Sequence, residues 1–182
     1  MTSSPSEARA VPDDVAEAGD ADRTTYVVAE VADAQYCIDV ARVREIVPVG
    51  RITVVPGAEP AILGVLNVRG RVMALADLSA ALRGPGCDGQ EDECPTRGAA
   101  MVLDLEASGE IAVAVHEVID VIELPAGALQ PPPSFGLGGA ARYALAVAAL
   151  STGLAVVLDV EALFGSAAAH AAANDVGTGG TS

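Results

Sequence analysis

Five residues are of the types best suited to covalent or metal chemistry: Cys37, Cys87, Cys94, His116 and His170. A thiol beside an imidazole makes an activated nucleophile, and Cys37 with His116 is the pairing the sequence allows. Yet Cys37 stands between Tyr36 and Ile38 inside an apolar strand-like run, where a free cysteine usually behaves as a small buried hydrophobe. Cys87 and Cys94 bracket the acids Asp88, Glu91, Asp92 and Glu93. Six residues separate the two thiols and no histidine lies near, which is not the close C-x-x-C spacing of a structural zinc site. The acids do not follow the alternating pattern of a calcium loop either. His170 sits in an Ala-rich stretch. No G-x-S-x-G elbow, H-E-x-x-H pair or phosphate loop is present, although each would have marked a reaction class. The expectation is a protein that is not an enzyme, with no cofactor and no metal site.

The arginines say more. Six of the ten, Arg42, Arg44, Arg51, Arg69, Arg71 and Arg83, fall within one segment that holds only three acids, Glu45, Glu59 and Asp77. The whole chain, by contrast, carries 25 acids, no Lys and a net charge of −15. An acidic chain is a poor general binder of nucleic acid, whose phosphates need a basic surface. A local cluster of arginines suits a docking face instead, because Arg pairs bidentately with carboxylates and is enriched at interfaces. Arg69 stands out. It precedes Gly70 between two apolar runs, and Gly permits the positive φ of a tight hairpin.

These residues need a scaffold, and the composition restricts it. Of the 182 residues 51% are hydrophobic but only 3% aromatic, with no Trp, so the core must be built from Val, Leu, Ile and Ala. No apolar run approaches the ~20 residues of a membrane-spanning helix, so no direct membrane insertion is expected. The N-terminus lacks a secretory pattern. Residues 1–23, with six acids and few large apolar side chains, read as a disordered acidic tail. Residues 166–182 read as a disordered Ala/Gly-rich tail, and 84–98 as an exposed acidic loop.

Residues 24–165 read as all-β. Short β-branched segments recur between turn signals: Thr25–Val31, Gln35–Asp39, Arg51–Val55, Val65–Val68, Arg71–Leu75, Met101–Leu105, Ile111–Val115, Glu117–Leu124, Tyr143–Leu150 and Leu154–Leu158. There is also an internal echo. Gly70 through Asp77 to Leu82 and Gly153 through Asp159 to Phe164 each run Gly turn, apolar strand, Asp, then one helical turn. The echo predicts two similar small barrels sharing one core, and barrels leave few exposed sheet edges.

The stretches Tyr36-Cys-Ile-Asp-Val40, Val43-Arg-Glu-Ile46, Ile52-Thr53, Pro56, Gly64-Val-Leu-Asn-Val-Arg-Gly70 and Ala76-Asp-Leu78 resemble, in order and spacing, the CheW-like domain. Val113–Val121 and Leu158-Asp159-Val160 resemble its second half less closely, with His116 beside the usual Val-Asp pair. The resemblance implies two SH3-like five-stranded β-barrels around a shared hydrophobic core. It implies a non-enzymatic adaptor that couples a CheA-type histidine kinase to the cytoplasmic tip of methyl-accepting chemoreceptors, in the cytoplasm and recruited to membrane receptor arrays. Carried over by position, Val43, Glu45 and Arg69 match the receptor contact, and Gly64 falls near the kinase-binding surface. The output, flagellar, pilus or other, stays open. The alternatives are a small β-barrel enzyme using Cys37 and His116, and a peptide-binding barrel outside chemosensory pathways.

Overall fold

The structure is a computed structural model, and it describes residues 23–83 and 98–175. Residues 1–22 of the predicted acidic tail, 84–97 of the predicted loop, with Cys87 and Cys94, and 176–182 lie outside the described residues. In chain order the strands are β1 (Arg23–Val31), β2 (Ala34–Asp39), β3 (Val43–Pro48), β4 (Ile62–Val68), β5 (Arg71–Asp77), β6 (Ala99–Leu105), β7 (Gly109–Val115), β8 (Glu117–Pro125), β9 (Leu129–Gln130), β10 (Ala144–Leu150) and β11 (Gly153–Leu158). Helix α1 (Leu78–Arg83) follows β5, and α2 (Val160–Asp175) follows β11.

The strands form two sheets. One runs β3-β6-β7-β5-β4, the other β8-β1-β2-β11-β10-β9. Apart from the two-residue β9, the two orders are the same arrangement. Each has an antiparallel hairpin (β4–β5, β10–β11) joined in parallel to a second hairpin (β6–β7, β1–β2). Even the irregularities repeat. A bulge falls between Ile62 and Gly64 on β4 and between Ala144 and Ala146 on β10. The Asp77 N–H donates to Ala61 O at 2.8 Å, and the Asp159 N–H to Tyr143 O at 2.8 Å. The echo read from the sequence is therefore a structural repeat. The first two strands of the chain belong to the second barrel, so the chain enters through one unit, completes the other, and returns.

The echoed aspartates have one local task. Asp77 Oδ1 accepts from the Ser79 N–H at 2.8 Å, and Asp159 Oδ1 from the Ala162 N–H at 2.9 Å. Each caps otherwise unpaired donors at a helix start. Side chains alternate across each strand, so each sheet has two apolar faces. One lines its own barrel: Leu66, Met73, Leu75 and Val102 in the first, Tyr26, Val28, Cys37 and Val157 in the second. The other faces the shared core, where Ile38, Leu78, Met101, Leu103, Ile111 and Phe164 are at most 1% exposed.

Four details differ from the sequence reading. Arg51–Val55, predicted as a strand, contributes one bridge, Thr53 to Val65. It occupies in the first barrel the place β9 takes against Val147 and Ala148 in the second. Strand β3 has no counterpart among the predicted strands. The chain beyond Gly165, predicted as tail, is helical to Asp175, with Ala168 1% exposed in the shared core. Alanine has the highest helix propensity, and its small side chain packs without needing an amphipathic stripe. Likewise Arg23, placed in the tail, opens β1 opposite Pro125.

Helix α2 also ties the two units together. Glu161 accepts from the Glu106 N–H at 3.0 Å and the Ala107 N–H at 3.3 Å, in the β6–β7 turn. Glu161→Ala should therefore lower stability by about 1.5–3 kcal/mol, the worth of hydrogen bonds to a charged group. Urea unfolding of the two proteins checks this.

Candidate functional site

The interior face of the first barrel changes character along its strands. On β6 the sequence is Ala100, Val102, then Asp104; on β7 it is Ala114, Ala112, then Glu110; on β5 it is Leu75, Met73, then Arg71. On β3 it is Val47, then Glu45. All four series turn from apolar to charged at one mouth of the barrel, and the β4–β5 hairpin adds Arg69. The charges form a line of alternating sign. Arg69 Nε lies 2.9 Å from Glu45 Oε2, and Arg71 Nη2 lies 4.0 Å from Glu45 Oε1. Arg71 also pairs with Glu110. Arg44 Nε lies 3.9 Å from Glu110 Oε1, and Arg44 pairs with Asp104.

Local chemistry explains how Arg69 reaches this mouth. Val68 pairs with Arg71, so Arg69 and Gly70 are the whole loop, at φ 51 and 89. This is the two-residue turn with both central residues at positive φ that matches strand twist. Asn67 Oδ1 accepts from the Gly70 N–H at 2.7 Å and holds it. Arg69 is thus a bulky residue in a conformation that favours Gly or Asn. Its side chain is 80% exposed, whereas Glu45 is 20% exposed. Glu45 Oε2 is sealed from water, and the Arg69 Nε beside it is not aligned as a hydrogen-bond donor.

Of the three predicted receptor-contact residues, the fold thus joins Glu45 and Arg69. Val43 lies on the same strand, but a bulge at Arg44 separates it from Glu45 and turns it, half-buried, toward the shared core. The sequence reading missed Asp104 and Glu110, and also Glu106, whose Oε1 lies 3.0 Å from Arg42. They neutralise much of the arginine cluster from a distant part of the chain. A signal existed: each of the first two is a lone acid within or beside an apolar run.

The CheW-like domain model matches residues 25–168. The chain belongs to the CheW-like family. A probable chemotaxis protein CheW from Rhizobium etli is 25% identical over 142 residues, covering 78% of this chain and 88% of the relative. Chemotaxis protein CheW from Klebsiella aerogenes is 26% identical over 149 residues, covering 82% and 86%. The crystal structure of the scaffolding protein TtCheW from Thermoanaerobacter tengcongensis shares the fold. Its TM-score is 0.64 at 22% identity, covering 78% of this chain and 87% of that one. As a CheW-like protein the chain is a scaffold of chemotaxis signalling rather than an enzyme.

The chemistry of the other candidates agrees with a CheW-like scaffold. Cys37 is fully buried inside the second barrel, and burial pushes its thiol up to about 11. It is protonated at neutral pH and no nucleophile. His116 is exposed at the crossover from β7 to β8, its backbone N–H donating to Glu30 O at 3.1 Å. The fold therefore does not make the Cys37–His116 pair. Because the folded state favours the neutral thiol, Cys37 contributes stability below the ordinary thiol value of 9.0 and loses it as pH rises through about 11. A thiol reagent at pH 8 should leave Cys37 unlabelled in the folded protein and label it once unfolded, as mass spectrometry of the Cys37 peptide would show. Among the described residues no cluster of His, Cys, Asp or Glu could hold a metal ion.

Gly64 lies at the β4 bulge with φ 142. A Cβ there would stand 2.3 Å from the Thr53 carbonyl oxygen. Its identity follows from the bridge that brings Thr53 against Val65, a backbone reason independent of any partner.

Proposed function

We propose that this CheW-like protein couples a CheA-type histidine kinase to the cytoplasmic tip of methyl-accepting chemoreceptors, working in the cytoplasm at membrane receptor arrays. The observation that carries the reading is the meeting of Glu45 and Arg69 at 2.9 Å. Two positions that are apart in sequence, both assigned to the receptor contact by the family resemblance, meet at one corner of the barrel mouth. The corner has the right chemistry: a strained, outward-held Arg on a rigid hairpin, where a binding residue loses little entropy on docking.

Kinase binding is assigned to the surface around Gly64. Beside the Thr53–Val65 bridge, Val54 is 75% and Val55 41% exposed. Apolar residues exposed next to a rigid strand suit a protein contact. Among the described residues no helix is long and apolar enough to cross a membrane, in keeping with recruitment through receptors. The test is a pull-down with the chain as bait, run separately against a receptor cytoplasmic fragment and the kinase. The reading expects both to be captured, and capture of neither would overturn it.

A further inference from the structure

The matching strand orders give each residue at the charged mouth an equivalent in the second barrel. The β3 and β8 bulges make Glu45 equivalent to Asp120 and Arg44 to Ile119. The two hairpins make Arg69 equivalent to Ser151 and Arg71 to Gly153. Asp104 and Glu110 correspond to Glu30 and Gln35, so two of the three acids are kept and all three arginines are lost. A barrel of this fold thus closes without the arginines. Their presence at one mouth asks for another reason.

The order of the charges supplies it. Arg71 stands between Glu45 and Glu110, whereas Arg69 is the terminal cation and, among the described residues, pairs only with Glu45. Arg69 does so through Nε, and no second acid pairs with it among the described residues. Its guanidinium is thus committed to one partner, and the planar fork of such a group can take a carboxylate bidentately. If Arg69 turns away, Glu45 still has a cation beside it, because Arg71 remains.

We infer that Arg71 is a positioning residue of the receptor contact: it holds Glu45 at the barrel mouth so that Arg69 can exchange Glu45 for an acidic side chain of the partner. Arg71 itself does not touch the partner. The inference rests on the receptor reading above.

The test is a binding cycle with a purified receptor cytoplasmic fragment. Arg71→Met should weaken binding about tenfold, a coupling typical of residues in one charge network. Arg71→Lys, which keeps the charge, should recover most of that loss. In an Arg69→Met background, Arg71→Met should add less than about threefold, since its effect passes through Arg69. Kinase affinity and thermal midpoint are the references; a merely structural Arg71 would lower both alongside receptor binding. Arg71→Gln replaces Arg71→Met if that protein unfolds. Receptor binding by Arg71→Met within about threefold of the parent, while Arg69→Met loses tenfold or more, would overturn this inference alone. A full additional loss in the double variant would also overturn it, making Arg71 a direct contact. Parent-like binding by Arg69→Met would remove the receptor reading, and the inference with it.

Discussion

Arg69→Glu should fold like the parent and bind a receptor fragment at least ~30-fold more weakly, about 2 kcal/mol at 1.4 kcal/mol per tenfold. The separation follows from where Arg69 stands. Its side chain is 80% exposed, and surface ion pairs contribute a median of ~0–1 kcal/mol. Glu45 keeps Arg71 when Arg69 is gone. At the centre of a docked interface the same arginine is desolvated, and removing such a residue costs ≥ 2 kcal/mol. Arg69→Gly sharpens the comparison. It relieves the strain of φ 51 and loses the pair with Glu45, two effects of about 1 kcal/mol and opposite sign. Its thermal midpoint should stay near the parent's while receptor binding falls. Calorimetry alongside titration of the fragment checks both variants.

Gly64→Ala should behave in the opposite way, losing about 3 kcal/mol of stability, or roughly 10 °C in midpoint for a domain of this size. Two costs combine. Alanine disfavours φ 142, and its Cβ would stand 2.3 Å from the Thr53 oxygen, a backbone atom that yields only if the bridge to Val65 opens. The second barrel provides the control. Ala146 occupies the equivalent bulge, so Ala146→Gly should cost only about 0.5–1 kcal/mol in chain entropy. If Gly64→Ala were as stable as the parent, the Thr53 bridge would not be the reason for glycine there.

The sequence carried most of the strands because the signals that mark a strand or a turn are local. Thr25–Val31 and Met101–Leu105 read as strands through their apolar, β-branched runs, and Arg69-Gly70 read as a turn through glycine. The repeat was legible because a capping aspartate at the end of an apolar strand is a distinctive pairing, seen at Asp77 and Asp159. Strand β3 was hidden because the charged Glu45 takes an inward position while Ile46 is exposed, so its residue types do not alternate as a half-buried strand should. Arg51–Val55 misled because β-branched residues favour extended backbone whether or not a partner strand is there; only Thr53 finds one. Helix α2 was cut short because a run of alanines has no stripe to read.

The candidate site was half legible for a similar reason. Its arginines cluster in sequence, but their acids do not: Arg44 meets Asp104, 60 residues away, and Arg71 meets Glu110, 39 away. Only the sheet order brings them together. The +3 segment reads as an unopposed basic face, whereas the folded mouth is a balanced line with one exchangeable end at Arg69.

In the proposed coupling, one chain joins two partners through separate faces. Co-sedimentation of receptor-containing membranes, kinase and this chain tests it most directly. With the parent chain, the kinase should sediment with the membranes, and without the chain it should stay in the supernatant. With Arg69→Glu, chain and kinase should stay in the supernatant together, still bound to each other. Kinase that sediments equally with or without the chain would contradict the account.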